Sequence, residues 1–278
     1  MKTNTLIDHN KVHDLVRETY GKVATNQTTG CAPATGGCCD SEPPTGTSAD
    51  KLGYSPDEIS ALPDGADLGL GCGNPQAIAS LKPGETVLDL GCGAGFDCFL
   101  ASCSVGPTGR VIGVDMTPEM LTKARSNAAK SNTGNVEFRL GQIENLPVAD
   151  KSIDALISNC VINLSPDKAQ VFREAFRVLK PGGRLAIADI VRTADLPAEL
   201  SSDLGALCGC VAGAASLNEL ETILHEEGFE NIRIAPKGGS REFIRSWVPG
   251  RNAADYVLSA TIEAVKPAAV CCDPTCCT

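Results

Sequence analysis

The stretch VLDLGCGAGFD, residues 87–97, constrains this chain more than any other. Its continuous apolar run reads as a strand buried on both faces. The glycines that follow, Gly91, Gly93 and Gly95, let the backbone turn sharply and approach a bound group closely before a helix begins. A doubly buried strand belongs in a parallel sheet covered by helices above and below. The next strand closes on Asp115, 20 residues beyond Gly95 (115 − 95), where a carboxylate suits the paired hydroxyls of a ribose. The loop reads G-x-G-x-G. Where the dinucleotide fingerprint G-x-G-x-x-G needs its last glycine, this chain has Phe96.

The same alternation continues along the chain. TVLDLG, GRVIGVDM, NVEFRLG, SIDALISN and GRLAIADIV predict five strands, the last entered through a turn at Lys180-Pro181-Gly182-Gly183. FDCFLASCSV, TPEMLTKARSNAAKSN and SPDKAQVFREAFRVLK predict the helices between them, with Thr117 and Pro118 as start signals for the second. This predicts an α/β fold, a mostly parallel sheet with helices on both faces and right-handed crossovers. Ahead of it, residues 10–22 carry apolar positions at helical spacing and should stop at Gly21, and SPDEISAL starts a helix with a capping box on Ser55 and Glu58. After residue 193 the pattern shifts to helices and then to REFIRSW and YVLSATIEAVKP, expected as further strands of a small second layer, a C-terminal α+β region. The expected division is therefore 1–50, a helix and Cys-containing linker; 51–195, the nucleoside-binding unit; 196–265, a C-terminal substrate unit; and 266–278, a Cys-rich tail.

Lysine and arginine number 24 against 34 aspartates and glutamates, a net charge of −10 that repels phosphate backbones and argues against nucleic acid as a partner. No apolar run reaches the roughly 18 residues of a membrane span. The polar N-terminus lacks a signal-peptide core, so a cytoplasmic protein with no membrane partner is expected. Fourteen cysteines in such a chain point to metal binding, redox work or catalysis rather than to a disulfide framework.

Three thiols stand apart from the rest. Cys72 lies in the Gly-rich turn LGLGCGNP, Cys160 at the carboxyl end of the fourth strand in SNCVINL, and Cys210 among small residues in CGCVAGA. The gaps of 88 and 50 residues match no zinc-finger spacing and suit a site assembled from separate loops. Three thiolates without a histidine suit a soft, three-coordinate ion better than zinc. Trivalent arsenic, pyramidal on three sulfurs with a lone pair on its open face, is the candidate. Cys92, Cys98 and Cys103 read as small core hydrophobes, Cys208 as a spare ligand or core, and His9 and His13 as surface histidines. Asn159 and Asn163 are lesser site residues, Asn159 expected toward the cofactor and Asn163 either at the site or only forming a turn. Asp150 and Asp154 receive no catalytic role.

Asp89 with the G-x-G-x-G loop, GQIENLPVAD, SIDALIS and REAFRVLKPGGRL resembles the class I S-adenosylmethionine-dependent methyltransferases over residues 80–195. That resemblance implies S-adenosyl-L-methionine as cofactor. It puts Asp89 near the methionine amino group, the 91–95 loop with Cys92 under the nucleoside, Asp115 on the ribose, Met116 on the adenine and Ile143–Glu144 at its edge. LGLGCGNP, LDLGCGAGFD, SNCVINL and CVAGA, in that order, resemble more narrowly the arsenite S-adenosylmethionine methyltransferase family. The narrower resemblance implies arsenite and methylarsenite, as such or as thiol conjugates, held by Cys72, Cys160 and Cys210. It further implies a fourth cysteine of the N-terminal loop, Cys38 or Cys39, in a disulfide cascade, and thioredoxin or glutathione as reductant. Two rival readings are a carbon or oxygen methyltransferase with a small organic acceptor, and a non-enzymatic thiol protein that sequesters soft metals.

Overall fold

The computed structural model describes residues 9–25, 48–131, 133–245, 247 and 251–268; Cys31, Cys38, Cys39 and the four tail cysteines lie outside them. Seven strands form one sheet: β1 (Thr86–Leu90), β2 (Arg110–Asp115), β3 (Val136–Leu140), β4 (Ile153–Asn159), β5 (Leu179–Arg192), β6 (Glu230–Pro236) and β7 (Val257–Val265). Their order is β3-β2-β1-β4-β5-β7-β6. The pairs from β3 across to β5 are parallel, and β7 runs antiparallel to both β5 and β6. The helices are α1 (His9–Ala24), α2 (Ala49–Leu52), α3 (Pro56–Ser60), α4 (Gln76–Ala79), α5 (Phe96–Val105), α6 (Pro118–Ser131), α7 (Lys168–Val178), α8 (Ala198–Ser201), α9 (Leu204–Cys208), α10 (Leu217–Glu226) and α11 (Arg241–Ile244). None of them is long and apolar enough to cross a membrane.

The central strands are apolar on both faces because both faces are covered. Leu88, Ile112, Leu156 and Ile187 join one core with Phe172, Leu220 and Phe229. Their neighbours Val87, Val111, Ile157 and Ala186 join another with Phe99, Leu121 and Phe138. This two-residue alternation is the pleat of each strand, and it fixes the register. The chain order reverses between β1 and β4, and such a switch point opens a crevice at the carboxyl ends of the strands. Gly91 and Cys160 leave the sheet there.

The structure corrects several expectations. Helix α1 does not stop at Gly21 but continues to Ala24, because Val16, Val23 and Ala24 are buried, the last two in a cluster with Met120 of α6. A Cβ at Gly21 would lie 3.3 Å from Glu119, so the glycine serves close helix approach rather than termination. REFIRSW is no strand: Arg241–Ile244 is helix α11. YVLSATIEAVKP does supply β7, but within the main sheet and not in a second layer. Strand β7 pairs with β5 over Arg184–Arg192, and six of its first residues in a row are buried. A run with no polar face needs cover on both sides and so sits inside a sheet. The Lys180–Gly183 turn is absorbed into β5 as an irregular start, with Gly182 at φ +80°. The capping box at Ser55 and Glu58 forms as expected.

Candidate active site

The loop after β1 is shaped by backbone bonds and by a glycine held at positive φ. Gly91 N and Cys92 N both donate to Val114 O, at 2.8 and 3.0 Å. Gly91 has φ +66°, and a Cβ there would lie 2.5 Å from Val161. Gly93 N donates to Asp115 Oδ2 at 2.9 Å and Thr117 N to Asp115 Oδ1 at 2.8 Å, so the loop and the next turn aim the carboxylate. The loop floors a cavity of about 220 Å³. Nine of the ten expected cofactor residues border it: Asp89, Gly91, Cys92, Gly93, Asp115, Met116, Ile143, Glu144 and Asn159. The tenth, Gly95, does not. It caps α5 at φ +94°, where a Cβ would meet the Phe99 ring at 2.8 Å, so its smallness serves helix packing.

Two further carboxylate features mark one end of this cavity. Asp97 also lines it, accepting from Tyr54 Oη at 2.8 Å and from Asn159 Nδ2 at 3.3 Å. Burial pushes the Asp97 carboxyl up to about 6 against the hydrogen bonds of Tyr54, Asn159 and Gln76. Burial also holds Asp89 well above the usual carboxylate range, and the charge of Asp97 adds to it. Gln76 Oε1 is the buried side-chain polar atom without a partner among the described residues. Its amide nitrogen donates to Asp97 O at 2.9 Å.

Helix α1 roofs the cavity with His13, Val16 and Tyr20. His13 is not the surface residue its sequence context suggests. Its side chain is 11% exposed, with Nε2 3.0 Å from Glu144 Oε1 and Nδ1 3.2 Å from Gln142 Nε2. Ser165 Oγ also bonds Glu144. Tyr20 Oη donates to Cys208 O at 3.0 Å, and Thr19 Oγ1 lies 3.5 Å from Cys208 Sγ. Cys208 therefore belongs to the cavity wall under α1.

The three singled-out cysteines come together beside this cavity. Cys72 arrives on the loop before α4, Cys160 from the end of β4, and Cys210 from the turn after α9. The thiol sulfurs of Cys72 and Cys160 and a carboxylate oxygen of Asp189 all lie within 4.8 Å of one another. The Cys210 thiol donates to the backbone carbonyl of Cys160 at 3.0 Å, which brings the third cysteine to the same turn. One carbonyl, Ala188 O, accepts both Cys160 N at 2.8 Å and Cys72 Sγ at 3.5 Å. Cys72 and Cys210 are buried, while Cys160 is half-buried and borders the cavity. Cys160 and Cys210 both hold φ +60°, a left-handed backbone that few cysteines adopt and that strained functional loops retain.

All three thiols rest protonated. Burial pushes Cys72 up to about 11. The nearby Cys210 thiol works to lower Cys160, but the neighbouring Cys72 thiol and burial outweigh it and hold Cys160 well above the usual thiol range. The adjacent Cys160 and then burial hold Cys210 well above the usual thiol range. Asp189 is a residue the sequence reading passed over, hidden inside the apolar strand GRLAIADIV. Burial raises it to about 6, against the hydrogen bonds of Ile190 and Ile162 and the charge of Lys168. Lys168, on α7, is in turn lowered by burial. Among the other thiols Cys92 and Cys98 are buried core, whereas Cys103 is exposed on α5 and not core as expected. All seven described cysteines are free.

Comparison with known proteins adds to this geometry. Residues 81–228 match a family described as a methyltransferase domain. An arsenite methyltransferase of Halobacterium salinarum is 54% identical over 267 residues, covering 94% of this chain and 68% of that protein. An arsenite methyltransferase of Aquipseudomonas alcaligenes is 39% identical over 230 residues, covering 80% of this chain and 63% of that protein. The crystal structure of an arsenic(III) S-adenosylmethionine methyltransferase from Chlamydomonas reinhardtii superposes with a TM-score of 0.57 at 33% identity, covering 79% of this chain and 72% of that one.

Proposed function

This chain belongs to the arsenite methyltransferase family, and from that premise we propose that it transfers methyl groups from S-adenosyl-L-methionine to trivalent arsenic bound by Cys72, Cys160 and Cys210. The observation that carries the reading is that cysteines from three separate segments converge beside the donor cavity: the Cys72 and Cys160 sulfurs lie within 4.8 Å of each other, the Cys210 thiol donates to the Cys160 carbonyl, and Cys160 borders the cavity. The cavity's chemistry fits the donor. Acceptors Asp89 and Asp97 at one end suit an ammonium group, Asp115 suits vicinal hydroxyls, and Met116 and Ile143 offer apolar flanks to a base. When bound, S-adenosyl-L-methionine supplies an electrophilic methyl group. The chain's part is to hold acceptor and donor in line and to keep water out.

Protonated thiols suit arsenite. As(OH)3 is uncharged at neutral pH, and exchange with three thiols breaks three As–O and three S–H bonds while forming three As–S bonds and three waters. No proton is left over, so the raised thiol pKa values do not oppose loading. Sulfur coordination leaves a lone pair on arsenic as the nucleophile, and no general base is needed for the transfer itself. Methylation formally oxidises arsenic by two electrons, which thiols must return by forming a disulfide. Cys38 or Cys39 is the proposed fourth thiol, and thioredoxin or glutathione the external reductant. A reducing cytoplasm, where the free thiols persist, is the proposed location. In this reading residues 51–195 carry the donor site with two of the thiols, and residues 196–265 add the third.

The test uses purified protein, arsenite, labelled S-adenosylmethionine and a thiol reductant, with Cys72→Ser, Cys160→Ser and Cys210→Ser in parallel. Wild type is expected to give mono- and dimethylated arsenicals and the Cys160 and Cys210 variants little or none. Label appearing on an organic acceptor with no arsenical product would favour the carbon or oxygen methyltransferase. Arsenite binding with no product at all would favour a sequestering thiol protein.

A further inference from the structure

Cys160 stands between two asparagines, and each of them reaches for the segment that carries one of the other thiols. Asn159 Oδ1 accepts from Cys72 N at 3.0 Å, and its Nδ2 donates to Gly73 O at 2.8 Å. The amide therefore grips both ends of the peptide unit that bears Cys72. The loop is also moulded to it: Gly71 has φ +119°, and a Cβ there would lie 3.0 to 3.2 Å from the Asn159 amide atoms. Tyr54 Oη, itself bonded to Asp97, receives a further bond from Asn159 Nδ2 at 3.0 Å.

On the other side Asn163 reaches the segment that follows Cys210. It is 2% exposed, and its Nδ2 donates to Asp189 Oδ1 at 2.8 Å and to Ile190 O at 2.6 Å, which ties the Cys160 turn to β5. Its Oδ1 accepts from Ala215 N at 3.4 Å. A Cβ at Gly213 would lie 2.1 Å from Asn163 O, so the segment after Cys210 sits directly on the Asn163 backbone. Asp189 completes the brace by accepting from Ile162 N at 2.8 Å. Only a short primary amide offers an acceptor and two donors in one plane, as both junctions use them.

We infer that Asn159 and Asn163 are positioning residues that gather the arsenic-binding thiols, Asn159 holding Cys72 against Cys160 and Asn163 holding Cys210 against it. Neither asparagine touches arsenic. Each converts a mobile approach of one thiol into a preset one, so that three sulfurs reach a single ion without first ordering two loops. The inference rests on the arsenic reading above and deepens it. It assigns to Asn159 a task beyond the wall of the donor cavity and to Asn163 one beyond turn formation.

The test is residue-resolved alkylation of the full chain, read by peptide mass spectrometry, with and without one equivalent of arsenite. In wild type, arsenite slows alkylation of Cys72, Cys160 and Cys210 together. Asn159→Ala is expected to lose about tenfold of the protection at Cys72 while Cys160 and Cys210 keep theirs, and Asn163→Ala to lose as much at Cys210 alone, the scale set by one buried hydrogen-bonded junction. Buried Cys92 and Cys98 report folding in the same digest. Should alanine expose them, Asn159→Ser and Asn163→Ser carry the measurement. Undiminished protection at all three sites in both variants, or an equal loss at all three with Cys92 and Cys98 still closed, overturns the inference. Wild type in which arsenite protects none of the three sinks the arsenic reading, and this inference with it.

Discussion

Donor binding should weaken in acid through Asp97, and the structure gives the size of the effect. Burial raises this carboxyl to about 6, and burial also holds Asp89 beside it well above the usual carboxylate range. A raised carboxyl is neutral below its pKa and charged above it. A ligand that brings an ammonium group needs the charged form, so affinity is full above about pH 7 and falls as pH drops through 6. With a pKa of about 6 the ionised fraction is roughly nine-tenths at pH 7 and one-tenth at pH 5, a loss of about tenfold in affinity, or about 1.4 kcal/mol. The assay is calorimetric titration with S-adenosylhomocysteine, which keeps the amino acid end and cannot transfer a methyl group, at several pH values and in buffers of different ionisation enthalpy. Asp97→Asn should bind more weakly at pH 7 and lose the slope between pH 5 and 7. A flat profile in wild type, or an undiminished slope in Asp97→Asn, refutes the assignment; the second result would move the titrating role to Asp89.

Other consequences can be checked separately. His13→Ala removes the bond from α1 to Glu144 and should raise the KM for the methyl donor several-fold, about 1 kcal/mol, with a smaller change in kcat; an unchanged KM would show that α1 is not a working roof. Cys160→Gly should be more stable than Cys160→Ala by about 1 kcal/mol in chemical denaturation, because alanine retains the cost of φ +60° and glycine does not; equal stability would mean the turn relaxes. Gly91→Ala should abolish donor binding, since the added methyl meets Val161 and the backbone strains together. Cadmium should inhibit more strongly as pH rises from 6 to 8, by about tenfold or more per unit, whereas arsenite affinity stays level over that range.

What the sequence disclosed is local, and what it withheld is tertiary. TVLDL and GRVIGVD announce their strands because a doubly covered strand must be apolar throughout, and Gly91, Gly93 and Asp115 announce their loop because backbone and carboxylate are tied by two direct bonds. Strand β7 was legible as a strand but not as a neighbour of β5, since an apolar run does not state which edge it will pair with. REFI was misread because four helical residues are too few to display a period. His13 looked like a surface residue because its partner, Glu144, lies 131 positions away. Asp189 was invisible for a related reason: one carboxylate in an apolar strand signals nothing until the turn of β4 supplies its donors. Asn159 and Asn163 did stand out beside Cys160, yet their partners Gly73 and Ala215 could not be named from the sequence.

On the proposed arsenic reading, burial and charge together predict that such a pocket should favour arsenic over the divalent soft metals that thiols also bind. Three thiolates around As(III) sum to zero charge, whereas three around a divalent cation leave −1 in a site already shared with the Asp189 carboxylate. Each thiolate on cadmium or zinc must also release its proton, from groups that the surroundings hold well above the usual thiol range, with Cys72 at about 11. Arsenite carries its own acceptors for those protons as hydroxide, and so avoids both costs. Lys168 offsets part of the excess negative charge through Asp189, but its own ammonium is weakened by burial and cannot balance a second anionic centre. The features that make these thiols look inert in isolation, deep burial and raised pKa values, should then act as a selectivity filter: they penalise every ligand exchange that leaves a charge behind, so the neutral exchange with arsenite is the one expected to go unopposed.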